Sequence, residues 1–599
     1  MEGCFNVKQR IFNIMWIACG KLFLYNKSVK TLADIKSQLT KARREAEERD
    51  AKRVAEKNNL PYADMSAKPV SVEALNLIPE EIAKKNKIAV IEALKGKAAI
   101  VVCDPNSEGV KQILKEIELK GYKPAIFVVS EYSFNRVLNF YKFVSQKQEK
   151  ISGKIETGKE MGLNSLKKIE EALKTIPFNT LNVGKIFEIV LNGALANRAS
   201  DIHFEPEEKI VKLRLRIDGA LHDVLNDINK EFYSALLSRI KLLSNLKINV
   251  RDEAQDGRFT IKSVSKEIEV RVAIAPSEFG EVAVMRILDP DAISLSLSDL
   301  GLRDDDLKII EAELKRPNGM ILNTGPTGSG KTTTLYAFLK HKKNPEIKII
   351  TIEDPIEYHL EGIEQTQVDE EAGYTFANGL RSLMRQDPDI ILVGEMRDKE
   401  TSEIGIQAAL TGHLVFSTIH ANSAAAAIPR LLDLGVKPTS IGPALNLVIA
   451  QRLVRRLCQN CKASAEISGD LRIKIEKFLS DLPTRVNKGN YKDIKIFSPS
   501  ENGCEKCNNS KYKGRVAIYE LLLNDPEYEK IMAGEKAEEL SSHKELEELI
   551  LQQAGETAIK KFSQEQGMVT MQEDGILKVI SGMTTFEEVE SMTGSIIWK

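Results

Sequence analysis

The sequence predicts a multidomain α/β protein whose central domain is a doubly wound, mostly parallel sheet. Between Gly301 and Leu457, short apolar runs alternate with stretches of helical periodicity, as a parallel sheet with crossover helices requires. One of these runs, Met320–Thr324, leads directly into a glycine-rich loop. The chain has 599 residues, enough for about three to five domains. The parallel sheet is therefore expected to be one domain among several.

The composition excludes several other classes of protein. Lys and Arg number 85 against 86 Asp and Glu, and the formal net charge of -1 argues against a general affinity for nucleic acid. The apolar stretch from Ile11 to Tyr25 is broken by Asn13, Gly20 and Lys21, so it is too short for a membrane-spanning helix. No Ala-x-Ala-like cleavage site accompanies it. We therefore expect a chain that stays in the cytosol.

Changes in composition and in hydrophobic periodicity divide the chain into seven segments. The predicted boundaries are 1–58 for an N-terminal helical arm, 59–145 for a first α/β domain, 146–175 for a linker, 176–299 for a second, α+β domain, 300–457 for the parallel sheet, 458–520 for a subdomain with four cysteines, and 521–599 for a C-terminal helical region.

The N-terminal segments are assigned from their periodicity. In the arm, apolar residues between Leu32 and Ala46 recur at helical steps within a highly charged stretch. Short apolar runs at Ala98–Cys103 and Ala125–Ser130 predict strands of the first domain. In the second domain a helix at Val183–Ala196 precedes several strand-like runs, of which Ile210–Ile217 is the first. A helix followed by antiparallel strands is typical of an α+β domain.

The loop after Met320–Thr324 matches the pattern G-x-x-x-x-G-K-[ST], which binds nucleotide phosphates. Its backbone N–H groups can surround an anion at the start of the predicted helix Thr333–Leu339. Lys331 can reach the β- and γ-phosphates, and the Thr332 hydroxyl can bind Mg²⁺. The alternative, a glycine-rich turn without a ligand, is disfavoured by the flanking strand and helix. The predicted nucleotide-binding residues are Gly325, Pro326, Thr327, Gly328, Ser329, Gly330, Lys331, Thr332 and Thr333.

Two later strands of the same domain end in carboxylates. The run Ile390–Val393 leads to Glu395, and the run Ile349–Ile352 leads to Glu353. A carboxylate at the carboxyl end of such a strand can orient an attacking water or hold Mg²⁺ through water. Either acid alone is more typical of a helix N-cap or a turn. Both together, downstream of a phosphate-binding loop, predict a hydrolytic site.

Four segments in this order resemble the secretion ATPases of type II secretion and type IV pili. They are the phosphate-binding loop, Thr351–Glu357, Val393–Asp398 and Thr411–His420, which in that family are the Walker A, Asp box, Walker B and His box. The resemblance extends from about Leu60 to the C-terminus. It implies a RecA-like fold for the parallel sheet domain and a PAS-like fold for the α+β domain.

The resemblance also implies catalytic roles for five residues of the central domain. Glu395 would be the Walker B glutamate, and Glu353 and Glu357 would be the Asp-box acids, one of which orients water. His413 and His420 would sense the γ-phosphate or link it to the neighbouring subunit. Taken singly, either histidine is more often a structural residue.

Several arginines are candidates for contacting the phosphates. Arg271 and Arg286 lie in apolar strands of the second domain, at the positions that serve as arginine fingers in the family. A buried ion pair is the alternative, because an unpaired charge in such a strand is costly. Arg381, Arg385, Arg452 and Arg455 are further candidates, for which surface solvation or ion pairing is an equal alternative.

Four of the seven cysteines form two CxxC pairs, Cys458 with Cys461 and Cys504 with Cys507. Two such pairs can surround one Zn²⁺ tetrahedrally, and this set leaves no ligand position for a reacting water. A redox function is the alternative for a single pair. The sequence therefore predicts a structural zinc site, and within the family this module resembles assembly and export ATPases rather than retraction ATPases.

Together these features predict a motor ATPase that hydrolyses Mg-ATP to power type IV pilus assembly. The implied cofactors are ATP, Mg²⁺ and Zn²⁺. The implied partners are further copies in a homo-hexamer, a polytopic inner-membrane platform protein that the first domain contacts, and indirectly pilins or pseudopilins, without nucleic acid. The expected location is cytoplasmic, peripherally associated with the inner membrane through these partners.

Three alternative functions remain open at this point. The first is the same chemistry in a type II secretion system, where it would drive pseudopilus assembly. The second is a regulatory protein that binds nucleotide without hydrolysing it, against which the intact Glu395 argues. The third is a DNA motor, for which salt-sensitive DNA binding would be the signature.

Overall fold

The computed structural model describes residues 46–65, 70–94, 96–141, 154–156, 162–178, 182–262, 266–293, 295–524 and 544–598. The apolar stretch Ile11–Tyr25 and all but the last residue of the predicted arm helix lie outside these ranges. The chain divides into two compact units. The smaller holds the described residues up to 141 together with 238–257, and the larger holds the others. Among the described helices, none combines the length and the apolar character that crossing a membrane requires.

The smaller unit contains a three-stranded sheet in the order β1-β2-β3. Strands β1 and β2 are antiparallel, and β2 and β3 are parallel. The connection between the parallel pair is a helix whose apolar residues Val110, Ile113 and Ile117 recur at helical spacing and are buried. Its elements are α1 (46–57), α2 (Val72–Leu75), α3 (Glu80–Asn86), β1 (Ile88–Leu94), β2 (Lys97–Val102), α4 (Glu108–Leu119), β3 (Lys123–Val128) and α5 (Glu131–Leu138).

An α+β domain follows, built on a seven-stranded sheet in the order β4-β8-β9-β10-β5-β6-β7. From β9 to β7 along this order the neighbouring strands are antiparallel, whereas β4 and β8 are parallel. Its elements are β4 (Lys154–Glu156), α6 (Leu166–Lys174), α7 (Val183–Ala196), β5 (Ala199–Pro206), β6 (Ile210–Ile217), β7 (Ala220–Asn229), α8 (Lys230–Leu243), β8 (Gln255–Lys262), β9 (Glu267–Ser277) and β10 (Gly280–Leu288).

Helix α6 lies in the segment that the sequence assigns to a linker. Although the segment is rich in Lys and Glu, Ile169 and Leu173 are one helical turn apart and both are fully buried. The Ser165 hydroxyl accepts a hydrogen bond from the Lys168 N–H and caps the helix. A short amphipathic helix therefore replaces part of the predicted linker, because two apolar residues on one face suffice to dock it.

The parallel-sheet domain contains a second seven-stranded sheet, in the order β13-β12-β14-β15-β11-β16-β19. All neighbouring strands are parallel except β16 and β19. The strands are β11 (Gly319–Thr324), β12 (Ile349–Glu353), β13 (Glu364–Gln367), β14 (Ile390–Val393), β15 (Leu414–Ile419), β16 (Leu445–Leu457) and β19 (Tyr512–Leu523), and β17 (Ala463–Ser464) and β18 (Phe497–Ser498) form a separate hairpin-like pair.

Helices cover this sheet, and its central strands are buried along their whole length. The helices are α9 (Asp304–Leu314), α10 (Lys331–Lys342), α11 (Phe376–Leu383), α12 (Lys399–Leu410), α13 (Ala424–Asp433), α14 (Pro438–Ala444), α15 (Gly469–Asp481), α16 (Lys544–Leu551), α17 (Glu556–Glu565), α18 (Met571–Ile580) and α19 (Phe586–Thr593). Burial on both faces explains why these strands are continuous apolar runs rather than alternating ones.

The chain returns after the cysteine-rich segment to the parallel-sheet domain. Residues 512–520, which the sequence assigns to the tetracysteine subdomain, belong to β19, and this strand continues into the segment expected to be helical. It pairs with β16 in antiparallel register from Leu447↔Leu523 to Leu457↔Tyr512. Residues 458–511 are therefore an excursion between two neighbouring strands of one sheet. Sequence periodicity does not show which earlier strand a later apolar run pairs with.

Candidate functional site

The phosphate-binding loop lies between the end of β11 and the start of α10. Gly330 has a φ of 93°, and a Cβ there would lie 2.8 Å from Gln451 Nε2, so the loop requires glycine at this position. Lys331 is the first residue of α10, and its Nζ donates hydrogen bonds to the carbonyls of Gly325 at 2.7 Å and Pro326 at 3.2 Å. Burial and the nearby Arg452 lower the pKa of Lys331. The loop thus concentrates N–H donors and an ammonium group at a helix N-terminus.

The buried side-chain amide of Gln451 connects the elements that flank the loop. Gln451 Oε1 accepts hydrogen bonds from Asn323 Nδ2 at 3.2 Å and from Thr334 Oγ1 at 2.9 Å. These contacts join β16, the end of β11 and the first turn of α10. The sequence interpretation missed all three residues. The signal was available, because each is a polar side chain within a run that is otherwise apolar and buried.

His420 is brought beside the loop by a reciprocal pair of hydrogen bonds. Thr324 Oγ1 donates to the Ala421 carbonyl at 2.9 Å and accepts from the Ala421 N–H at 2.8 Å. This joins the carboxyl ends of β11 and β15. Burial lowers the pKa of His420, and the positive charges of Lys331 and Arg397 lower it further. His420 is therefore a neutral imidazole at the loop around neutral pH.

Glu395 lies at the carboxyl end of β14, with 13% of its side chain exposed. The Gly394 N–H donates to the Ile352 carbonyl at 2.8 Å, and Thr418 Oγ1 donates to the Gly394 carbonyl at 2.7 Å, so the strands on both sides fix this turn. Glu395 Oε2 lies 3.3 Å from His420 Nε2, and Arg397 Nε contacts Oε1. The carboxylate predicted from the sequence thus lies with His420 at the loop. Arg397 belongs to the same cluster, and the sequence interpretation did not select it.

Glu353 is in a different environment. It is almost fully buried, and its carboxylate accepts hydrogen bonds from Thr351 Oγ1 at 2.6 Å, Gln365 Nε2 at 3.2 Å and the Tyr336 hydroxyl. Burial and the neighbouring carboxylate raise the pKa of Tyr336. Three protein donors occupy Glu353, so its carboxylate ties α10, β12 and β13 together. This arrangement favours Glu395 over Glu353 as the acid that orients a water.

The α+β domain reaches this end of the parallel sheet through Arg271. Its Nη1 donates to Glu357 Oε2 at 3.0 Å, and its Nη2 donates to the Ile356 carbonyl. Arg286 lies directly opposite Arg271 on β10, and its Nε donates to Asp201 Oδ1 at 3.0 Å. Both arginines are thus ion-paired, as the alternative interpretation expected. Arg271 nevertheless connects its domain to the Asp box beside the nucleotide site.

The four cysteines of the two CxxC pairs come together in one cluster. Cys458 Sγ lies 3.8 Å from Cys504 Sγ, Cys461 Sγ lies 3.8 Å from Cys507 Sγ, and Cys504 Sγ lies 3.7 Å from Cys507 Sγ. All four sulfurs lie within 4.8 Å of one another. A tetrahedron with Zn–S bonds of about 2.3 Å has S···S edges of about 3.8 Å. The geometry and the thiol ligands therefore fit a Zn²⁺ ion with four protein ligands.

Comparison with known proteins identifies the family. A family model described as "Type II/IV secretion system protein" matches residues 180–591, more than half of the chain. The chain belongs to this family. A second model, the MshEN domain, matches residues 58–142. The sequence resemblance and the predicted fold class are thereby confirmed, and the protein is a P-loop ATPase of the secretion motor type.

Relatives of two kinds match this secretion ATPase over nearly its whole length. The "Type IV pilus assembly ATPase PilB" of Myxococcus xanthus is 37% identical over 537 residues, which cover 89% of this chain and 89% of that protein. The "Type II secretion system protein E" of Dickeya dadantii is 37% identical over 535 residues, which cover 88% and 99%. Among solved structures, the Legionella pneumophila ATPase DotB is similar with a TM-score of 0.47 and 21% identity, covering 68% of this chain and 95% of that one.

His413 lies at the opposite end of β15 from His420 and away from the secretion ATPase's phosphate-binding loop, so within one chain it does not contact a γ-phosphate bound there. The other predicted role of His413, a link to the neighbouring subunit, stays a prediction. The His413 carbonyl accepts a hydrogen bond from the Gly319 N–H at 3.1 Å, and Gly319 starts β11 whereas the loop follows the end of β11. Its Nδ1 lies 3.0 Å from the Ala408 carbonyl. A strand rises about 3.3 Å per residue, so β15 separates His413 from His420 by about 20 Å. One phosphate cannot contact both.

Arg452 and Arg455 have separate environments, which corrects the prediction that both bind the nucleotide. They are three residues apart on β16, and an odd separation on a strand places side chains on opposite faces. Arg452 lies against Gly325 of the loop and donates to the Asn422 carbonyl at 3.1 Å. Arg455 instead donates to Glu588 of α19, with Nε to Oε1 at 3.0 Å, on the other face.

Arg381 and Arg385 also lack the predicted contact with the loop. In the part of the chain that the structure describes, Arg381 Nη2 donates to Glu400 Oε1 at 2.5 Å and Arg385 Nη2 to Ser382 Oγ at 3.4 Å. Both line a surface groove between α11 and α12. The structure therefore favours the ion-pairing and surface-solvation alternative for these two residues.

Proposed function

We propose that this secretion ATPase is the motor of type IV pilus assembly, which converts ATP hydrolysis into domain motion that acts on a membrane platform protein. The contact between Arg271 and Glu357 carries the proposal. It joins the α+β domain to the Asp box, and the Asp box adjoins the cluster of Glu395 and His420 at the phosphate-binding loop. The pilus assembly relative that matches 89% of both chains supports the same conclusion.

In the proposed reaction, each polar group has a separate task. The loop N–H groups and Lys331 bind the phosphates, and the Thr332 hydroxyl would be a ligand of Mg²⁺, which when bound would supply positive charge next to the phosphoryl oxygens. Glu395 orients the attacking water, because its carboxylate lies at the strand end and has His420 and Arg397 as its partners among the described residues. His420 holds the second oxygen of that carboxylate.

The proposed coupling step is a change of partner by Arg271. Here its guanidinium is bound to Glu357 and the Ile356 carbonyl. A γ-phosphate competes with these groups for the same cation, and charge developing during transfer attracts it more strongly. Release of Arg271 from Glu357 moves β9, and with it the α+β domain. Nucleotide turnover therefore becomes domain motion.

This step is tested by phosphate release from the purified chain. Arg271→Gln should lower kcat by about 10- to 100-fold, since one charged contact to the transition state is lost. Glu269→Gln is the matched control, because Glu269 Oε1 lies 3.5 Å from Arg271 Nε and the variant removes a partner but keeps the cation. Equal losses in both variants would indicate that Arg271 only holds the domains together.

The cellular role is tested by deleting the gene and complementing it with the wild type or with Glu395→Gln. Loss of surface pili with normal export of extracellular enzymes, restored by the wild type alone, supports pilus assembly. The relative that is matched over 99% of its length supports type II secretion as the second candidate. Loss of enzyme export with pili retained would identify that function, and no change in either would contradict both.

We further propose that the active form is a homo-hexamer that binds the platform protein through the domain at residues 58–142 and lies at the inner membrane through that partner. The family relationship supports the ring. Glu395→Gln with ATP and Mg²⁺ should collect the chain in its assembled state, because binding continues while hydrolysis stops. Light scattering during size-exclusion chromatography measures the mass. A monomer at micromolar concentration under these conditions would contradict the proposal.

A further inference from the structure

Asn508 directly follows a cysteine of the tetracysteine cluster and contacts the α+β domain. Its Nδ2 donates to Asn197 Oδ1 at 2.9 Å, and its Oδ1 accepts from the Leu166 N–H at 3.4 Å. Asn197 caps the end of α7 and is buried, and its own Nδ2 donates to the carbonyls of Leu163 and Gly193, both at 2.8 Å. The Asn508 amide therefore binds the side chain of Asn197, whose orientation is fixed by its own hydrogen bonds.

A second contact joins the same two domains nearby. The Gly514 N–H, in β19, donates to Asp218 Oδ2 at 2.6 Å. Asp218 lies in the tight turn between β6 and β7 and has a φ of 51°. The α+β domain is thus bound by its α6–α7 region to Asn508 and by its β6–β7 turn to Gly514. The first anchor directly follows the second cysteine pair, and the second is the third residue of β19.

Three residues of the segment that follows Cys507 have a left-handed backbone, which asparagine tolerates better than lysine does. Asn508, Asn509 and Lys511 have φ values of 52°, 57° and 69°, and a residue with a Cβ is disfavoured in this region. Such a conformation persists only where the surroundings impose it. The cysteines do so here, since the Cys504 N–H donates to Cys507 Sγ at 3.2 Å and the Asn509 N–H donates to the Cys504 carbonyl at 3.0 Å.

We propose that the metal held by the four cysteines fixes Asn508 in the position that binds the α+β domain. The two contacts, Asn508 with Asn197 and Gly514 with Asp218, then form a metal-dependent latch between that domain and the ATPase domain. An ion bound by the four sulfurs fixes the conformation of the loop that follows Cys507, and that conformation sets the position of the Asn508 amide. This inference depends on the metal site and is independent of whether the cargo is a pilin or a secreted protein.

Two asparagine variants separate the latch from the local structure. Asn508→Gly removes the side chain and keeps the backbone, because glycine adopts positive φ freely. Asn509→Gly is the matched control, with the same backbone region and a neighbouring position. Each variant is prepared as the full-length chain loaded with Zn²⁺, and its zinc content is measured with a chromophoric chelator. One zinc per chain in both variants establishes that any difference arises from the Asn508 amide.

The measurement is hydrogen–deuterium exchange by mass spectrometry on peptides that cover α6, the end of α7 and the β6–β7 turn. Asn508→Gly should speed exchange at the start of α6 and the end of α7 by about fivefold, the effect of one lost hydrogen bond. Asn509→Gly should leave these peptides unchanged. Removal of zinc from the wild type should speed exchange there and at the β6–β7 turn.

Three results would overturn the inference. Zinc removal that changes exchange only within residues 456–515 would show that the metal stabilises its own loop and nothing else. Equal exchange in Asn508→Gly and Asn509→Gly would show that the Asn508 amide does not hold the domains. A chain that takes up no Zn²⁺ would remove the basis of the latch, while leaving the ATPase and pilus proposals intact because they are tested separately.

Discussion

Two clusters of charged residues in the ATPase domain differ in the exposure of their side chains and in how completely their charges are paired. The nucleotide-site cluster lies at the carboxyl edge of the sheet and consists of Lys331, Glu395, Arg397 and His420. The buried ion cluster joins α9, the segment after α15, and α18, and consists of Arg303, Asp305, Asp306, Arg485, Asp574 and Lys578.

In the buried ion cluster every side chain is at most 6% exposed, and cations and anions are equal in number. Arg303 alone contacts three carboxylates, with Nη1 to Asp574 Oδ1 at 2.6 Å and Nη2 to Asp306 Oδ1 at 2.7 Å. At the nucleotide site, Arg397 is 61% exposed and His420 50% exposed. Charges that satisfy one another in a dry interior fix structure, whereas charges left partly open at a strand end remain available to a ligand.

The largest expected effect is on the buried ion cluster. Arg303→Leu leaves its carboxylates short of a buried cation, so the free energy of unfolding should fall by about 3–5 kcal/mol. Urea denaturation followed by circular dichroism measures it. The control is Arg472→Leu, because the pair of Arg472 with Glu476 is exposed on both sides and should contribute no more than about 1 kcal/mol. Similar losses in the two variants would remove the distinction between the clusters.

The next largest effect is a loss of ATPase activity with little change in the free energy of unfolding. Glu395→Gln should lower the rate of phosphate release by about 100-fold or more, since an uncharged amide cannot accept the proton of an attacking water. The free energy of unfolding should change by less than about 0.5 kcal/mol, because Gln keeps the shape of the side chain and the partners Arg397 and His420 are at least half exposed. Binding of a fluorescent ATP analogue should persist. A variant that hydrolyses ATP normally would show that another acid orients the water.

A smaller effect distinguishes the two arginines of β16. Arg452→Ala should weaken ATP binding by about tenfold, since a cation at the loop is lost. Arg455→Ala should leave the affinity unchanged and lower the free energy of unfolding by about 1–3 kcal/mol, because Glu588 loses its partner. Isothermal titration calorimetry and denaturation, run on both variants, measure the two quantities. Equal losses of affinity would contradict the assignment of opposite faces.

The smallest expected effect is the pH dependence of His420, which is half exposed. Its pKa lies below the ordinary value of 6.5 in the folded chain, so the unfolded chain binds the proton first as pH falls. The contribution of His420 to stability should therefore be present above pH 6.5 and decline as pH falls below it. Comparison of the wild type with His420→Gln between pH 7.5 and 5.5 measures this contribution. An advantage of the wild type that grows toward low pH would mean that Glu395 dominates and raises the pKa.

Much of the site could be predicted from local patterns. The phosphate-binding loop, Glu395 and the four cysteines are each defined by residues close in sequence, and a strand followed by a turn fixes where they point. The residues that were missed, such as Gln451 and Arg397, act through contacts between strands. Such partners depend on strand order, and the sequence contains no direct record of it.

The sequence by itself determined the family, the parallel sheet, the phosphate-binding loop and the two cysteine pairs that come together in one cluster, because short motifs and hydrophobic periodicity express them. Only the tertiary structure decided which histidine and which arginine meet the loop. His413 and His420 bracket one strand and lie at opposite edges of the sheet, and Arg452 and Arg455 share one strand but face opposite sides. The number of residues between two side chains on a strand does not show which of them lies at the loop. It also does not show what packs on each face of the sheet until the neighbouring strands and helices are in place. Strand register and packing, which arise from contacts across the chain, supply both.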